Sequence, residues 1–422
     1  MSCCFDYALY DALEFLVLMQ TASLHHRKVW SRSPRLELFF LKTYARNGSY
    51  GCKWARLMMV VVIKSREGSI VMGKSLFTME LNGEPYDRGY KYGESCKNLI
   101  ARMIEEQFFQ EFSGKLTRDQ LVRHARKYEP FIQDYSPEIA DELKGMAEGS
   151  GQSYDEIVMV NALEERKAFE RPHCTAFAAT GNATVDGETY EGQSWDGIEG
   201  EWWDGELSLL FKVRRKNGPD LLNYTNPGIL VCAGLNSNGI GINWNTVPQK
   251  EPTVGVPTYI IVAEILRQKT LGDALDAVTR ADRAGYFNFI ITDDTELYDV
   301  EATPSDTDIS YGGEFVGHAN HFVSNKFSSA ENEGMTSSSI VRHNRINRLL
   351  KDNYGKIDLE VCMSFFRDHV NYPSSICCHP GDDPDPKQRG LTLDSWISIP
   401  SKRELWIAHG SPCKNEFVRF SL

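Results

Sequence analysis

From residue 174 to its end the chain reads as strand after strand, with two pairs of helical segments set between them, and this order restricts the fold more than any other feature. The runs "CTAFAAT", "ETYEGQSW", "LSLLFKV", "ILVCAGLN", "IGINWN", "FNFIITD", "ELYDVEAT", "FVGHANHFV", "LTLDSWISIP" and "ELWIAHG" are short, rich in β-branched and aromatic residues, and bounded by turn signals. Asn236-Ser237-Asn238-Gly239 predicts a hairpin turn, and Pro400-Ser401 predicts another between the last two runs. Helical periodicity covers roughly 258–282, 337–370 and 118–170. In the last of these, "SPEIADELKGMAEGSG" places Ser136 as a cap, Pro137 in the first turn and Gly149 at the close. Further upstream, "LFTMELNG" reads as a short strand, and Leu99, Ile100, Met103, Ile104 and Phe108 recur at helical spacing. Many antiparallel strands with helices outside them predict packed sheets in a layered α+β fold.

The first 75 residues stand apart as an N-terminal extension, mixed in basic and aromatic content and without a sustained period, ahead of a main domain at 76–422. Asp11 and Glu14 interrupt the apolar stretch at 8–24, and no basic segment precedes it, so no signal peptide is expected. "LMMVVVI" at 57–63 is too short to span a bilayer, and no membrane partner is expected. Against 46 Lys and Arg stand 58 Asp and Glu, giving a net charge of −12 with no basic run, which excludes nucleic acid as an expected partner.

Ten cysteines lie scattered without a Cys-x-x-Cys pair, the pattern of a reduced cytoplasmic protein. The terminal Phe420-Ser421-Leu422 shares only its last residue with a peroxisomal Ser-Lys-Leu address, the alternative location. The vicinal pairs Cys3-Cys4 and Cys377-Cys378 lack a second ligand pair at zinc-like spacing. His318 and His321, read as residues of one strand, face opposite sides, so no metal site is expected. The chain has no Gly-x-Gly-x-x-Gly or phosphate loop, and no cofactor is expected either.

One cysteine heads a strand in mid-chain, in "HCTAFAATGNATVDGETYEGQSWDG" at 173–197. Asp186-Gly187 is a two-residue hairpin signal, and ideal pairing about it sets Asp196 opposite Phe177 and Cys174 opposite Glu199. Asp196 then lies near Cys174 but on the other face, unless a bulge at a residue such as Gly192 intervenes. On geometry alone Cys174 is either a packed core thiol, the commoner case, or a nucleophile. A nucleophile ordinarily needs a histidine base, and His318 with Asn320 would complete a Cys-His-Asn set.

Five ordered segments, "CTAFAATGNATVDGETYEGQSWD", "GLNSNGIGINWN", "GHANHF", "NYPSSIC" and "RGLTLDSWI", resemble the acyl-coenzyme A:isopenicillin N acyltransferase family of self-processing N-terminal nucleophile hydrolases. The resemblance extends from "LFTMELNGEPYDRGYKYG" to near the C-terminus. It implies a four-layer αββα sandwich and self-cleavage between His173 and Cys174, with the small fragment staying bound to the large one as its partner. Family members often carry Gly before the cysteine, where this chain has His173. The new α-amino group, titrating at about 7.7–8.0, would serve as the base in place of a histidine.

The same resemblance assigns the remaining roles. Asp196 would orient the new ammonium, Asn320 would serve the oxyanion through its side-chain amide, and Asn245 and Arg389 would line the substrate site. Arg389 would anchor a substrate carboxylate or steady Asp196. The implied reaction passes an acyl group from an amide or acyl-coenzyme A donor through a Cys174 thioester to water or an amine. The alternatives are an unprocessed cysteine hydrolase using His318 as base, and a non-catalytic binding protein that keeps the fold.

Overall fold

The computed structural model describes residues 76–109, 117–166, 174–198, 207–247, 253–327, 335–385 and 389–422, with strands at 35–42, 57–65 and 68–71. The chain divides into two compact units, Met1–Ser75 and Leu76–Leu422. In the first, β1 (Arg35–Lys42), β2 (Leu57–Ser65) and β3 (Gly68–Val71) pair antiparallel in that order. "LMMVVVI" thus belongs to a strand. Among the described residues no helix is long and apolar enough to cross a membrane.

The second unit holds two sheets. One has eight strands: β4 (Phe77–Gly83), β7 (Leu209–Arg215), β8 (Leu221–Thr225), β9 (Ala233–Asn236), β10 (Gly241–Thr246), β11 (Phe287–Thr292), β12 (Leu297–Ala302) and β13 (Thr307–Tyr311). They lie in the order β13-β12-β11-β10-β9-β8-β7-β4. The other runs β14 (Phe315–His318), β5 (Cys174–Gly181), β6 (Gly187–Ile198), β15 (Gly390–Ile399), β16 (Glu404–His409), β17 (Val418–Ser421). All neighbours within the two sheets are antiparallel except β4, which adds parallel to β7 at the edge. The helices are α1 (Pro85–Ser95), α2 (Lys97–Arg102), α3 (Arg118–Ala125), α4 (Glu129–Tyr135), α5 (Pro137–Ser150), α6 (Tyr154–Asn161), α7 (Thr258–Leu266), α8 (Leu271–Thr279), α9 (Ser337–Asp352) and α10 (Leu359–Phe366).

Alternation along β5 shows how these pieces stack. Ala176 and Ala178 pack on Ile290 and Leu297 of the eight-stranded sheet, while Phe177 and Ala179 join Phe365, Phe366 and Ile346 of α10 and α9. Both faces of the strand are buried, so "CTAFAAT" carries no polar alternation. α7 and α8 cover the outside of the eight-stranded sheet, and α9 and α10 the outside of the six-stranded one. The result is four layers, α, β, β, α.

Local readings change in three places. "ILVCAGLN" contributes only Ala233–Asn236 as strand, because Gly228 bends the chain at φ 84° and the preceding strand is Leu221–Thr225. β14 stops at His318, so His318 and His321 do not share a strand. α5 closes at Gly151, with φ 72°, rather than at Gly149.

Gly149 has another purpose. A methyl group on Gly145 or Gly149 would meet the Tyr86 or Tyr90 carbonyl oxygen of α1 at 2.1 Å. Reciprocally, one on Gly89 or Gly93 would meet the Glu142 or Met146 carbonyl of α5 at 1.8 or 2.3 Å. Paired glycines one turn apart on both helices let the backbones touch, and Arg88 crosses beside them to Glu142 at 2.8 Å. Gly145→Ala is therefore expected to destabilise the protein by several kcal/mol, since backbone cannot yield as a side chain does. Gly272→Ala, whose methyl would meet only Thr270 Oγ1 at 4.0 Å, should be neutral or stabilising. Chemical denaturation of the two variants checks the contrast.

Candidate active site

Cys174 is the first residue of β5 and pairs with Trp195, four positions short of the partner that an Asp186-Gly187 hairpin would give it. The turn is longer than two residues because Ala183 is buried in the core under α9 and α10 and its loop closes on Thr180 and Gly181. Gly181 (φ 58°) and Gly187 (φ 76°) bracket that loop. The register shift falls at Thr180 rather than Gly192, and a second irregularity on β15, between Thr392 and Asp394, adjoins Asp196. The Asp196 backbone N–H reaches the Cys174 thiol.

Burial pushes the Cys174 thiol up to about 12, the Asp196 charge adds to that, and the Arg342 guanidinium opposes it. At neutral pH the thiol of the uncut chain is protonated, so a base is needed before it can attack. Asp196 accepts from Thr392 Oγ1 at 2.7 Å, and its other oxygen, Oδ2, is buried without a partner. Burial raises its carboxyl to about 7, against the lowering by Arg342 and Thr392.

Asn320 sits just past β14 and is 1% exposed. Its Oδ1 accepts from the Cys174 N–H and from Arg342 Nη2, both at 2.9 Å, while its Nδ2 donates to the Thr246 carbonyl at 2.9 Å. Two donors at one atom and a carbonyl at the other fix which way the amide faces. Its oxygen therefore points at the Cys174 nitrogen, and one Nδ2 hydrogen remains for another acceptor. Asn245 shares with Asn243 the face of β10 that meets the other sheet, where Trp396 Nε1 donates to Asn243 at 2.7 Å. Both polar atoms of the Asn245 amide are buried without a partner.

The guanidinium at this site is Arg342, which the sequence reading missed. It is 0% exposed on α9 and donates to the Cys174 carbonyl, to Thr175 Oγ1 at 3.0 Å and to Asn320. An arginine spaced with Ser339, Ile346 and Leu350 on the buried stripe of a helix was the available signal. Arg389, in contrast, is half-buried at the start of β15, with Nε on the Asp383 carbonyl at 2.5 Å, and the charge that acts on Asp196 is that of Arg342. His318 does not fit the role of base. Both ring nitrogens are taken up by acceptors, Glu301 at 2.9 Å and the Ala319 carbonyl at 2.8 Å, and although burial opposes it, the neighbouring Asp299 and Glu301 carboxylates shift the ring's pKa upward. His173 lies outside the described residues.

Glu164 and Glu165 follow α6 and are held to β10 and α7. Glu164 accepts from Thr246 Oγ1 at 3.1 Å and from the Tyr259 hydroxyl at 3.0 Å. Glu165 accepts from the Thr258 N–H at the start of α7, at 2.6 Å. Thr246 thus takes Glu164 through its hydroxyl and Asn320 through its carbonyl.

Residues 207–414 match the family described as acyl-coenzyme A:6-aminopenicillanic acid acyl-transferase. Over 345 residues, 78% of this chain and 91% of the relative, the sequence is 26% identical to the acyl-coenzyme A:6-aminopenicillanic-acid-acyltransferase 40 kDa form of Emericella nidulans. Among solved structures, the conjugated bile acid hydrolase of Clostridium perfringens aligns at TM-score 0.41 and 12% identity, over 59% of this chain and 97% of that one. Penicillin V acylase of Agrobacterium tumefaciens aligns at 0.38 and 10%, over 56% and 83%.

Asp196 yields a prediction about stability. Its carboxyl is raised on folding, so its contribution is fully present below the unfolded value of about 3.9 and is lost as pH rises through the folded value of about 7. Asp196→Asn removes that loss. The stability difference between variant and wild type should move in the variant's favour from pH 4 to pH 8, by about 1 kcal/mol or more. Urea titrations at both values measure it, and a difference that stays flat contradicts the assignment.

Proposed function

We propose that the chain is a member of the acyl-coenzyme A:6-aminopenicillanic acid acyl-transferase family, a self-processing N-terminal cysteine enzyme moving acyl groups from an amide or acyl-coenzyme A donor to water or an amine. The observation that carries the reading is the bond from the Cys174 N–H to Asn320 Oδ1. Few roles other than the chemistry of that nitrogen call for a buried amide oxygen aimed at the first residue of a strand, beside a buried guanidinium.

In the uncut chain, Asp196, near neutrality and with Oδ2 unspent, takes the thiol proton. The sulfur attacks the His173 carbonyl carbon, a carbon–sulfur bond forms, the carbon–nitrogen bond breaks and the Cys174 nitrogen gains a proton. Water then hydrolyses the thioester, releasing the thiol and the His173 carboxylate. The freed amine, still held on Asn320 Oδ1, becomes the base for turnover. In turnover the amine takes the thiol proton and the same sulfur attacks the donor's carbonyl carbon. The bond to the donor's amine or coenzyme A sulfur breaks and that group leaves with the proton. Water or an amine then takes the acyl group and frees the thiol. The remaining Nδ2 hydrogen of Asn320 and the amide of Asn245 stabilise the tetrahedral oxyanion. Arg342 holds the Cys174 carbonyl and limits the thiol's rise, and Arg389, just before β15, would anchor a substrate carboxylate.

Cleavage should yield a large fragment of 249 residues, 422 less 173, that co-purifies with the small one. Cys174→Ala should stay a single folded chain, as intact-protein mass spectrometry would show. Fragments persisting in that variant would mean that an outside protease makes the cut.

To separate processing from turnover, the two pieces are produced as separate chains, the larger with its initiating Met removed. In that pair Asn320→Ala should lower turnover by about 100- to 1000-fold, the usual loss of an oxyanion donor. Turnover that survives this change and vanishes in His318→Ala would restore the histidine-base alternative.

A further inference from the structure

Four ligand-type side chains with no role assigned so far converge after α10. The atoms of His369, Cys377, His379 and Cys413 all lie within 4.8 Å of one another. His379 Nε2 is 3.0 Å from His369 Nε2, 3.4 Å from Cys377 Sγ and 3.4 Å from Cys413 Sγ. An imidazole nitrogen carries one hydrogen or one lone pair and can satisfy only one such neighbour. Three neighbours at this range are instead what a shared centre produces. Zinc bonds of about 2.0–2.1 Å to nitrogen and 2.3 Å to sulfur place tetrahedral ligand atoms roughly 3.3–3.8 Å apart. Both imidazole–sulfur separations, 3.4 Å, fall within that range, and the imidazole–imidazole separation, 3.0 Å, lies just below it.

We propose that His369, Cys377, His379 and Cys413 form a structural zinc site. Two thiolates and two imidazoles in tetrahedral array favour zinc over hard cations, and four protein ligands leave no open position for catalysis. The surrounding backbone is tied in place. Cys377 N–H donates to the Asp368 carbonyl at 3.0 Å, His379 N–H to the Pro373 carbonyl at 3.0 Å, and Arg345 holds Asp368 at 2.6 Å. Cys413 comes from the turn after β16, so the ion clamps that turn to the segment after α10. The clamp reaches the catalytic strand: next to Cys377, the Cys378 N–H donates to Thr392 Oγ1 at 2.9 Å, the hydroxyl that donates to Asp196. Sequence spacing hid the site, because the ligands follow His-x7-Cys-x-His with the fourth far downstream.

The full chain, expressed with zinc in the medium and purified without chelator, should carry one equivalent of zinc by elemental analysis. Cys413→Ser and His369→Ala, both at exposed ligands, should reduce that to a trace. Cobalt added to chelator-treated protein should give the charge-transfer and visible bands of a tetrahedral thiolate complex. Zinc content unchanged in both variants would overturn the proposal. So would metal-free protein whose mass, lower by two hydrogens, maps to a Cys377–Cys413 disulfide. Should the variants fail to fold, alkylation of the wild type decides: Cys413 should resist iodoacetamide until chelator is added, and labelling that ignores the chelator refutes the site.

Discussion

The side-chain amide of Asn320 joins three elements around one nitrogen. Its oxygen takes the Cys174 N–H of β5 and a guanidinium hydrogen of Arg342 from α9, and its nitrogen gives to Thr246 at the end of β10. The two sheets and the outer helix layer therefore meet at this one amide. A buried arginine is costly unless its hydrogens are taken up. Here they go to Asn320, Thr175, Ser338 and the Cys174 carbonyl, so the charge is held by the groups it must orient.

The layered α+β class was legible because strand runs, hairpin turns and helical periods agree with one another, as at Asn236–Gly239 and Pro400–Lys402. Register was not. A two-residue turn at Asp186-Gly187 is the best local choice, but Gly181 pairs with Gly187 and the longer loop between them puts Ala183 in the core, a placement the local signal does not encode. Cys174, Asp196 and Asn320 were singled out by their motifs, and in the structure the Cys174 N–H donates to Asn320 Oδ1 and the Asp196 charge acts on the Cys174 thiol. Arg342 was not, since a lone arginine in a helix usually faces solvent. The His-Cys cluster was missed because its fourth ligand is supplied by topology rather than by spacing.

Polar groups between the sheets are numerous for a core. Glu191 accepts from Ser398 at 2.6 Å and Thr292 at 3.0 Å, and Gln193 bonds both the N–H and the carbonyl of Trp244 across the interface. Such bonds fix how the sheets sit on each other, which apolar packing alone leaves free to slide. That would matter for the proposed site, with Cys174 and Asp196 on one sheet and Asn245 on the other.

The edge strand β4 belongs to the fragment that precedes Cys174, yet it is the eighth strand of a sheet whose other seven follow it, and α1 to α6 come with it. The proposed cut would leave that arrangement in place but change its history. Before the cut, folding is an event within one molecule; afterwards, a molecule that opens must find a second chain to rebuild the edge, at whatever concentration that chain is present. Loss of the fragment would also bare β7 as an unpaired edge, a template for aggregation. The mature form would thus be durable through slow opening rather than through ready refolding, and its heat inactivation would behave as a rate.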